Sequence, residues 1–162
     1  MTPLNIIFES PTKGRMTLEQ MYGDLLLYMS EEPAAQYKLI VGTDSHTRHE
    51  TIFVTAVVIH RTGKGGRYFF NKSRRRAIKS LRQKILYETS VSLMVAARLT
   101  DLLQASGKDD LDVEIHIDVG QQGETKELIR EIVGMVAGSG YQATIKPDSF
   151  GASKVADKYT KS

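Results

Sequence analysis

Apolar and polar positions along the chain predict a mixed α/β protein. Apolar residues recur at intervals of three and four from residue 18 to residue 30 and predict a helix. Thr17 and Gln20 have the spacing of a capping box at its start, and Pro33 follows its end. Runs rich in β-branched and aromatic residues predict five strands, at about residues 38–44, 51–60, 67–71, 113–119 and 142–145.

The rest of the pattern predicts one long helix, two shorter helices and an irregular N-terminus. The longest helix is expected over about residues 75–106 and the next over about 125–137, with a short helix near the end of the chain. Prolines and a glycine mark residues 1–15 as irregular. Short polar or glycine-rich links join the first three strands, so these strands are expected to form an antiparallel meander.

One carboxylate interrupts the apolar stripe of the longest predicted helix. Steps of three and four along this helix give Ile78, Leu81, Ile85, Glu88, Ser92, Val95, Leu99 and Leu102. Burying an unpaired carboxylate costs several kcal/mol, so a residue such as Glu88 is expected to be paired, protonated or bound to a metal ion. A salt bridge to a buried arginine is the purely structural alternative.

Two aspartates end predicted strands. Asp44 closes the first strand and Asp118 the fourth, and α/β sheets place their sites at such strand ends. An aspartate in this position is also common in turns and helix caps, so that alternative stays open for each of them.

Composition favours a single domain in which any metal site would use ligands other than thiolates. The chain has 162 residues, 41% of them hydrophobic, and we expect one domain over residues 1–162 with an N-terminal helical extension over about residues 1–36. No apolar run approaches the roughly 20 residues of a membrane helix, and no signal-peptide pattern is present, so a cytoplasmic protein is expected. Cysteine is absent, which excludes thiolate metal sites.

Positive charge is concentrated around the predicted start of the longest helix. The net charge is only +3, yet residues 72 to 84 contain seven basic residues and no acidic one. Arginines near a helix N-terminus oppose the helix dipole, and a phosphate partner would offset this placement. Nucleic acid is therefore a candidate partner, and a solvated helix face is the alternative. The residues expected to contact it are Lys72, Arg74, Arg75, Arg76 and Lys79.

The element order and several motifs resemble an uncharacterised bacterial family of the ribonuclease H-like superfamily. Three antiparallel strands followed by αβαβ and a final helix is the order of that fold. The motifs that carry the resemblance are Ser10-Pro11-Thr12-Lys13-Gly14, Val41-Gly42-Thr43-Asp44-Ser45, His116-Ile117-Asp118 and the segment 152–158. The resemblance implies a five-stranded mixed sheet, the fourth and fifth strands parallel to the first, with helices on both faces.

The same resemblance implies a site of four acids that binds two Mg²⁺ or Mn²⁺ ions. The matching positions are Asp44, Glu88, Asp118 and Asp157, and Asp148 is a substitute for the last. Oxygen ligands suit such hard cations. The residues expected around the acids are His46, His116, Asp148 and Lys154.

The resulting hypothesis is a two-metal nuclease that hydrolyses phosphodiester bonds in RNA, DNA or a hybrid. Two alternatives remain: a nucleic-acid-binding or assembly module of the same fold without turnover, and a small-molecule phosphohydrolase. Asp44-Ser45-His46 also has the Asp-x-His form found in metallophosphoesterases, but the other segments of that family are missing.

Overall fold

The computed structural model describes residues 6–108, 110–119, 126–145, 155–156 and 159–160. Its strands and helices, in chain order, are β1 (Ile7–Ser10), β2 (Gly14–Thr17), α1 (Leu18–Glu31), β3 (Tyr37–Thr47), β4 (Glu50–Arg61), β5 (Gly66–Arg76), α2 (Leu81–Ala105), β6 (Asp112–His116), α3 (Lys126–Gly138) and β7 (Gln142–Thr144).

These strands form a single mixed sheet in the order β2-β1-β5-β4-β3-β6-β7. The antiparallel meander predicted for the first three strands is confirmed by β3, β4 and β5. The parallel pairing of β6 with β3, and of β7 with β6, is confirmed as well. The expected number of five strands is wrong, because the sheet has seven.

The two additional strands come from the segment that was expected to be irregular. β1 and β2 pair as a hairpin, with Phe8 opposite Met16 and Ser10 opposite Gly14. Gly14 has a φ of 75°, a left-handed conformation that glycine adopts without steric cost. Phe8 is completely buried, so burial of an apolar side chain holds this short hairpin against the sheet.

Helix α1 agrees closely with its prediction. The Thr17 side chain accepts a hydrogen bond from the backbone N–H of Gln20, and the Gln20 side chain accepts one from the backbone N–H of Thr17, so the capping box is present.

Helix α2 begins later than predicted. It starts at Leu81, with Ser80 as its N-cap, and β5 continues to Arg76. Arg74, Arg75 and Arg76 therefore belong to a strand, and the expectation that they lie at a helix N-terminus is wrong.

The core has two parts, one on each face of the sheet. Helices α1, α2 and α3 pack on one face, where the larger cluster includes Met21, Leu99 and Ile132. The opposite face carries a smaller cluster around Val54 and Phe70, which is covered by Val155, Ala156 and Tyr159. No helix in the described ranges is both long enough and apolar enough to cross a membrane.

Unequal strand lengths create a recess at one end of the sheet. Strand β6 ends at His116, which is paired with Gly42, whereas β3 continues to Thr47. The last residues of β3 thus extend past the end of their parallel neighbour, at the kind of position where open α/β sheets place sites.

Candidate acidic site at the ends of two parallel strands

Glu88 lies in the interface between α2 and β3. Its side chain is only 9% exposed, so the predicted burial of a carboxylate in this helix is correct. The buried stripe begins at Ile85, because Ile78 precedes the helix and Leu81 is exposed. The Ser45 hydroxyl donates a hydrogen bond of 2.5 Å to Oε2 of Glu88. Among the described residues Glu88 forms no ion pair, which removes the salt-bridge alternative for this part of the chain.

The surroundings of Glu88 favour its protonated form. Burial is the largest cause, and together with the nearby negative charges of Asp44 and Asp118 it raises the pKa of Glu88 to about 8. The Ser45 hydrogen bond and the charge of Lys84 act in the opposite direction and only partly offset this effect. Glu88 is therefore a buried carboxyl group whose pKa is raised further by two neighbouring acids.

A row of hydroxyl groups continues from Glu88 along the same interface. The hydroxyl of Thr43 lies 2.8 Å from that of Ser92 on α2 and 3.0 Å from that of Thr55 on β4. All three residues are at most 4% exposed. These hydrogen bonds fix α2 against the end of β3, and they explain why Ser92 occupies a position in an otherwise apolar stripe.

Asp44 and Asp118 approach Glu88 from different sides. Thr43 and Ser45 contact α2, so by strand alternation Asp44 between them faces the other side of the sheet, where it is 8% exposed. Asp118 lies two residues beyond the end of β6 and is half-buried. Asp118 and Glu88 line one small cleft together with Thr43 and Ser92. The structure thus brings three of the four predicted acids to one end of the sheet.

These acids are close enough to interact electrostatically but do not form a closed metal site. Within the described residues no three Asp, Glu or His side chains make a group that could hold a metal ion as they stand. Asp157, Asp148 and Lys154, which the sequence also placed at or near the site, lie outside the described residues.

His116 belongs to a buried polar chain beside the acids. Its Nε2 lies 3.2 Å from Oε1 of Glu114, which also accepts from the Thr144 hydroxyl, and Lys38 pairs with the other Glu114 oxygen at 2.8 Å. Burial lowers the pKa of His116 and so favours the neutral form of the ring. Its Nδ1 has no hydrogen-bond partner among the described residues.

His46 lies further out on β3. Its Nε2 accepts a hydrogen bond of 3.2 Å from Nε of Arg48. His46 therefore contacts a surface arginine, and none of its described hydrogen bonds involves an acid of the site.

The predicted basic residues divide between the two faces of β5. Lys72 and Arg74 are paired with Val54 and Ile52 of β4, which in turn pair with Asp44 and His46. Paired residues point to the same side of a sheet, so Lys72, Arg74 and Arg76 share the face of Asp44. Arg75 points to the other face and lies over the ring of Tyr87, with 5.2 Å between Cζ and the ring centroid. Lys79 is exposed in the link before α2.

Two groups that shape the site are not among the residues predicted from the sequence. They are Ser45, which holds Glu88, and Glu114, which holds His116. Alternation along β3 could have suggested Ser45, because it shares a face with the apolar residues Leu39 and Val41. Glu114 had no comparable signal, since an isolated Glu in a short strand is normally solvent-exposed.

Two comparisons with known proteins give matches over most of the chain. The profile of the family described as ribonuclease H-like matches residues 20–161. The uncharacterized protein YkuK of Bacillus subtilis (strain 168) is 37% identical over 169 residues, which cover 97% of this chain and 98% of the relative. No solved structure matches the chain. The match over most of the chain, on a sheet with the expected strand order, confirms the resemblance seen in the sequence: the chain belongs to the ribonuclease H-like family.

Proposed function

We propose that this protein is a divalent-metal-dependent nuclease that hydrolyses phosphodiester bonds in nucleic acid. The observation that carries the proposal is the approach of Glu88, Asp44 and Asp118 at the ends of the parallel strands β3 and β6. The negative charges of Asp44 and Asp118 help to raise the pKa of Glu88. Acids gathered in this way in a partly buried site repel one another without a cation, and functional sites commonly contain such groups.

The donor groups fit Mg²⁺ or Mn²⁺. All of them are carboxylate oxygens, which hard divalent cations prefer. Asp44, Glu88 and Asp118 would hold the ions, with Asp157 or Asp148 as the fourth ligand. Two ions bound there would supply an activated water and stabilise the leaving oxygen of the phosphodiester.

The other residues of the site have positioning roles in this proposal. The Ser45 hydroxyl fixes one oxygen of Glu88 and leaves the second available to a ligand. The Thr43 to Ser92 hydrogen bond keeps α2 at a constant distance from β3. Lys72 lies in line with Asp44 across β4, about 10 Å away at two strand spacings, where an ammonium group could bind a backbone phosphate.

The proposal is tested by measuring Mn²⁺-dependent cleavage of single-stranded, duplex and hybrid substrates. Asp44→Asn and Asp118→Asn are expected to abolish cleavage of whichever substrate the wild-type protein cuts. Asp112→Asn is the matched control, because this exposed aspartate lies at the opposite end of β6. Equal cleavage by Asp44→Asn and the control would exclude Asp44 from the reaction.

A nucleic-acid-binding module without turnover is the second candidate. It is favoured by the lack of a ready metal group among the described acids and by the protonation of Glu88 at neutral pH. Under this alternative the wild-type protein would bind nucleic acid and show no cleavage with either cation, and Asp44→Asn would bind as tightly as the wild type.

A further inference from the structure

Another cavity lies between α2 and the outer half of β5, and none of the acids of the site belongs to its lining. We call it the α2–β5 groove; it has a volume of about 470 Å³, and its lining includes Asn71, Ser73, Arg75, Tyr87, Val91 and Met94. Sites for small ligands commonly have volumes of roughly 300–1,000 Å³, so the groove can hold one molecule of moderate size.

The charge of the groove selects an anion. Arg75 is the charged residue in the described lining, which contains no Asp or Glu. Its guanidinium lies against the Tyr87 ring and has no carboxylate partner among the described residues. Arg74, by contrast, pairs with Glu50 at 2.5 Å. Arg75 is therefore held in place by an aromatic contact while its hydrogen-bond donors remain available to a ligand.

The remaining walls suit a flat, weakly polar body beside the anionic group. Ile7, Val91 and Met94 supply apolar surface, and a methionine side chain adapts readily to planar rings. Ser73 and Tyr87 belong to the same lining, and their hydroxyl groups can donate or accept hydrogen bonds. A ring system joined to a phosphate matches both parts of the groove.

We propose that the α2–β5 groove binds one nucleotide, with its phosphate on Arg75 and its base against the wall formed by Val91 and Met94. A free nucleoside monophosphate and one nucleotide of a longer strand present the same chemistry. Tyr87 in the groove directly precedes Glu88 in the acidic site, so the two sites are neighbours along α2. Where the nucleotide is part of a strand, that strand would be the substrate of the nuclease, and the inference then rests on the proposed function.

The test is calorimetric titration of the whole protein in EDTA with the four nucleoside 5′-monophosphates and with a short oligonucleotide. Without a divalent cation no cleavage occurs, so binding is measured independently of the nuclease proposal. Arg75→Gln is expected to weaken binding about tenfold or more, because a charge-assisted contact to phosphate is lost. Arg130→Gln, which removes an exposed charge on α3, is the matched control and is expected to bind like the wild type.

A second pair of variants tests the position of the ligand. Ser90→Trp places a large side chain at the edge of the groove and is expected to abolish binding. Ala97→Trp, on the same face of α2 two turns later and outside the lining, is expected to leave binding intact. Thermal melting of each variant confirms that it is folded.

The outcomes separate the two proposals. Binding of monophosphates that Arg75→Gln and Ser90→Trp both weaken supports the groove as a nucleotide site, and competition by the oligonucleotide assigns it to a strand. Absence of binding by any of these probes, or equal loss in Arg130→Gln, overturns it. Loss of cleavage in Asp44→Asn with unchanged nucleotide binding supports both proposals, whereas binding without any metal-dependent cleavage overturns the nuclease alone.

Discussion

The carboxyl group of Glu88 has a pKa of about 8 in the folded chain, compared with an ordinary value of 4.5. Between these values the folded protein keeps the proton and the unfolded chain loses it. The free energy of unfolding therefore decreases as the pH rises through this window, by about 1.4 kcal/mol per pH unit from this group alone. Below pH 4.5 and above pH 8 the group contributes no further change.

Glu88→Gln should remove this dependence, because an amide has no proton to lose in this range. Urea unfolding of the wild type and the variant at pH 5, 6.5 and 8 is the measurement. The variant is expected to gain stability relative to the wild type at each step towards higher pH. Saturating Mn²⁺ should diminish the difference, since an ion bound to the carboxylate favours its ionised form. Parallel pH profiles without metal would show that Glu88 is ionised or solvated.

The buried hydroxyl group of Thr43 on β3 bonds to Ser92 on α2 and to Thr55 on the neighbouring strand β4. Thr43→Val keeps the shape of the side chain but leaves the hydroxyls of Ser92 and Thr55 without this partner, and both of these residues are at most 2% exposed. We expect a loss of about 1–3 kcal/mol in the free energy of unfolding. Ser90→Ala, on the exposed side of the same helix, is the control and should change stability by less than about 0.5 kcal/mol. Equal effects of the two substitutions would mean that the hydroxyl row contributes little.

At the scale of elements, alternation along β5 decides what each basic residue can do. Arg74 and Arg76 share a face, but Arg74 already pairs with Glu50, whereas Arg76 has no carboxylate partner among the described residues. Arg76→Gln should therefore reduce the slope of log affinity for nucleic acid against log salt by about 0.7 to 0.9, the value for one phosphate contact. Arg74→Gln should reduce it by less.

Filter binding or fluorescence anisotropy at several salt concentrations measures these slopes. Arg130→Gln again serves as the control for a general loss of positive charge. If the slope is unchanged in Arg76→Gln, Arg76 makes no phosphate contact, and this end of β5 is simply a solvated charged surface, as the structural alternative holds.

The same strand shows why the sequence predicted the core elements well and their ends poorly. β3, β4 and the first half of β5 are rich in β-branched and aromatic residues, so their local pattern is sufficient. The segment Lys72 to Arg76 has no such pattern and extends as a strand because β4 continues to Glu50 beside it and offers backbone partners. Pairing of this kind depends on residues 18 to 26 positions away in the chain, which a local pattern does not contain.

The acidic site was predictable to a similar degree. Glu88 could be identified because a charged residue in an apolar stripe needs a local explanation, and Asp44 and Asp118 because strand ends have a known role in α/β folds. The hairpin of β1 and β2 was missed because its strands have four residues each and Pro11 lies in the turn between them. The Ser45 and Glu114 contacts depend on how neighbouring strands and helices are placed, and only the folded chain contains that information.

At the scale of the whole molecule, the C-terminal segment packs against the sheet. Tyr159 stacks on Phe70 with 3.7 Å between ring centroids and an angle of 13°, and its hydroxyl lies 2.9 Å from that of Tyr68. These contacts tie the C-terminal segment to the sheet face that also carries Asp44. Asp157, the predicted fourth acid, precedes Tyr159 by two residues in the sequence.

If the C-terminal segment supplies a ligand, loosening it should weaken metal binding without altering Asp44, Glu88 or Asp118. We expect Mn²⁺ to raise the melting temperature of the wild type, because an ion that binds only the folded state stabilises it by mass action. Tyr159→Ala, which loses the stacking on Phe70, should require a higher Mn²⁺ concentration for the same stabilisation, whereas Tyr159→Phe keeps the ring and should respond like the wild type. Asp44→Asn sets the limit of no response. An Mn²⁺ dependence in Tyr159→Ala equal to that of the wild type would mean that the site binds metal without the chain end, and the fourth ligand would then have to be sought on another element.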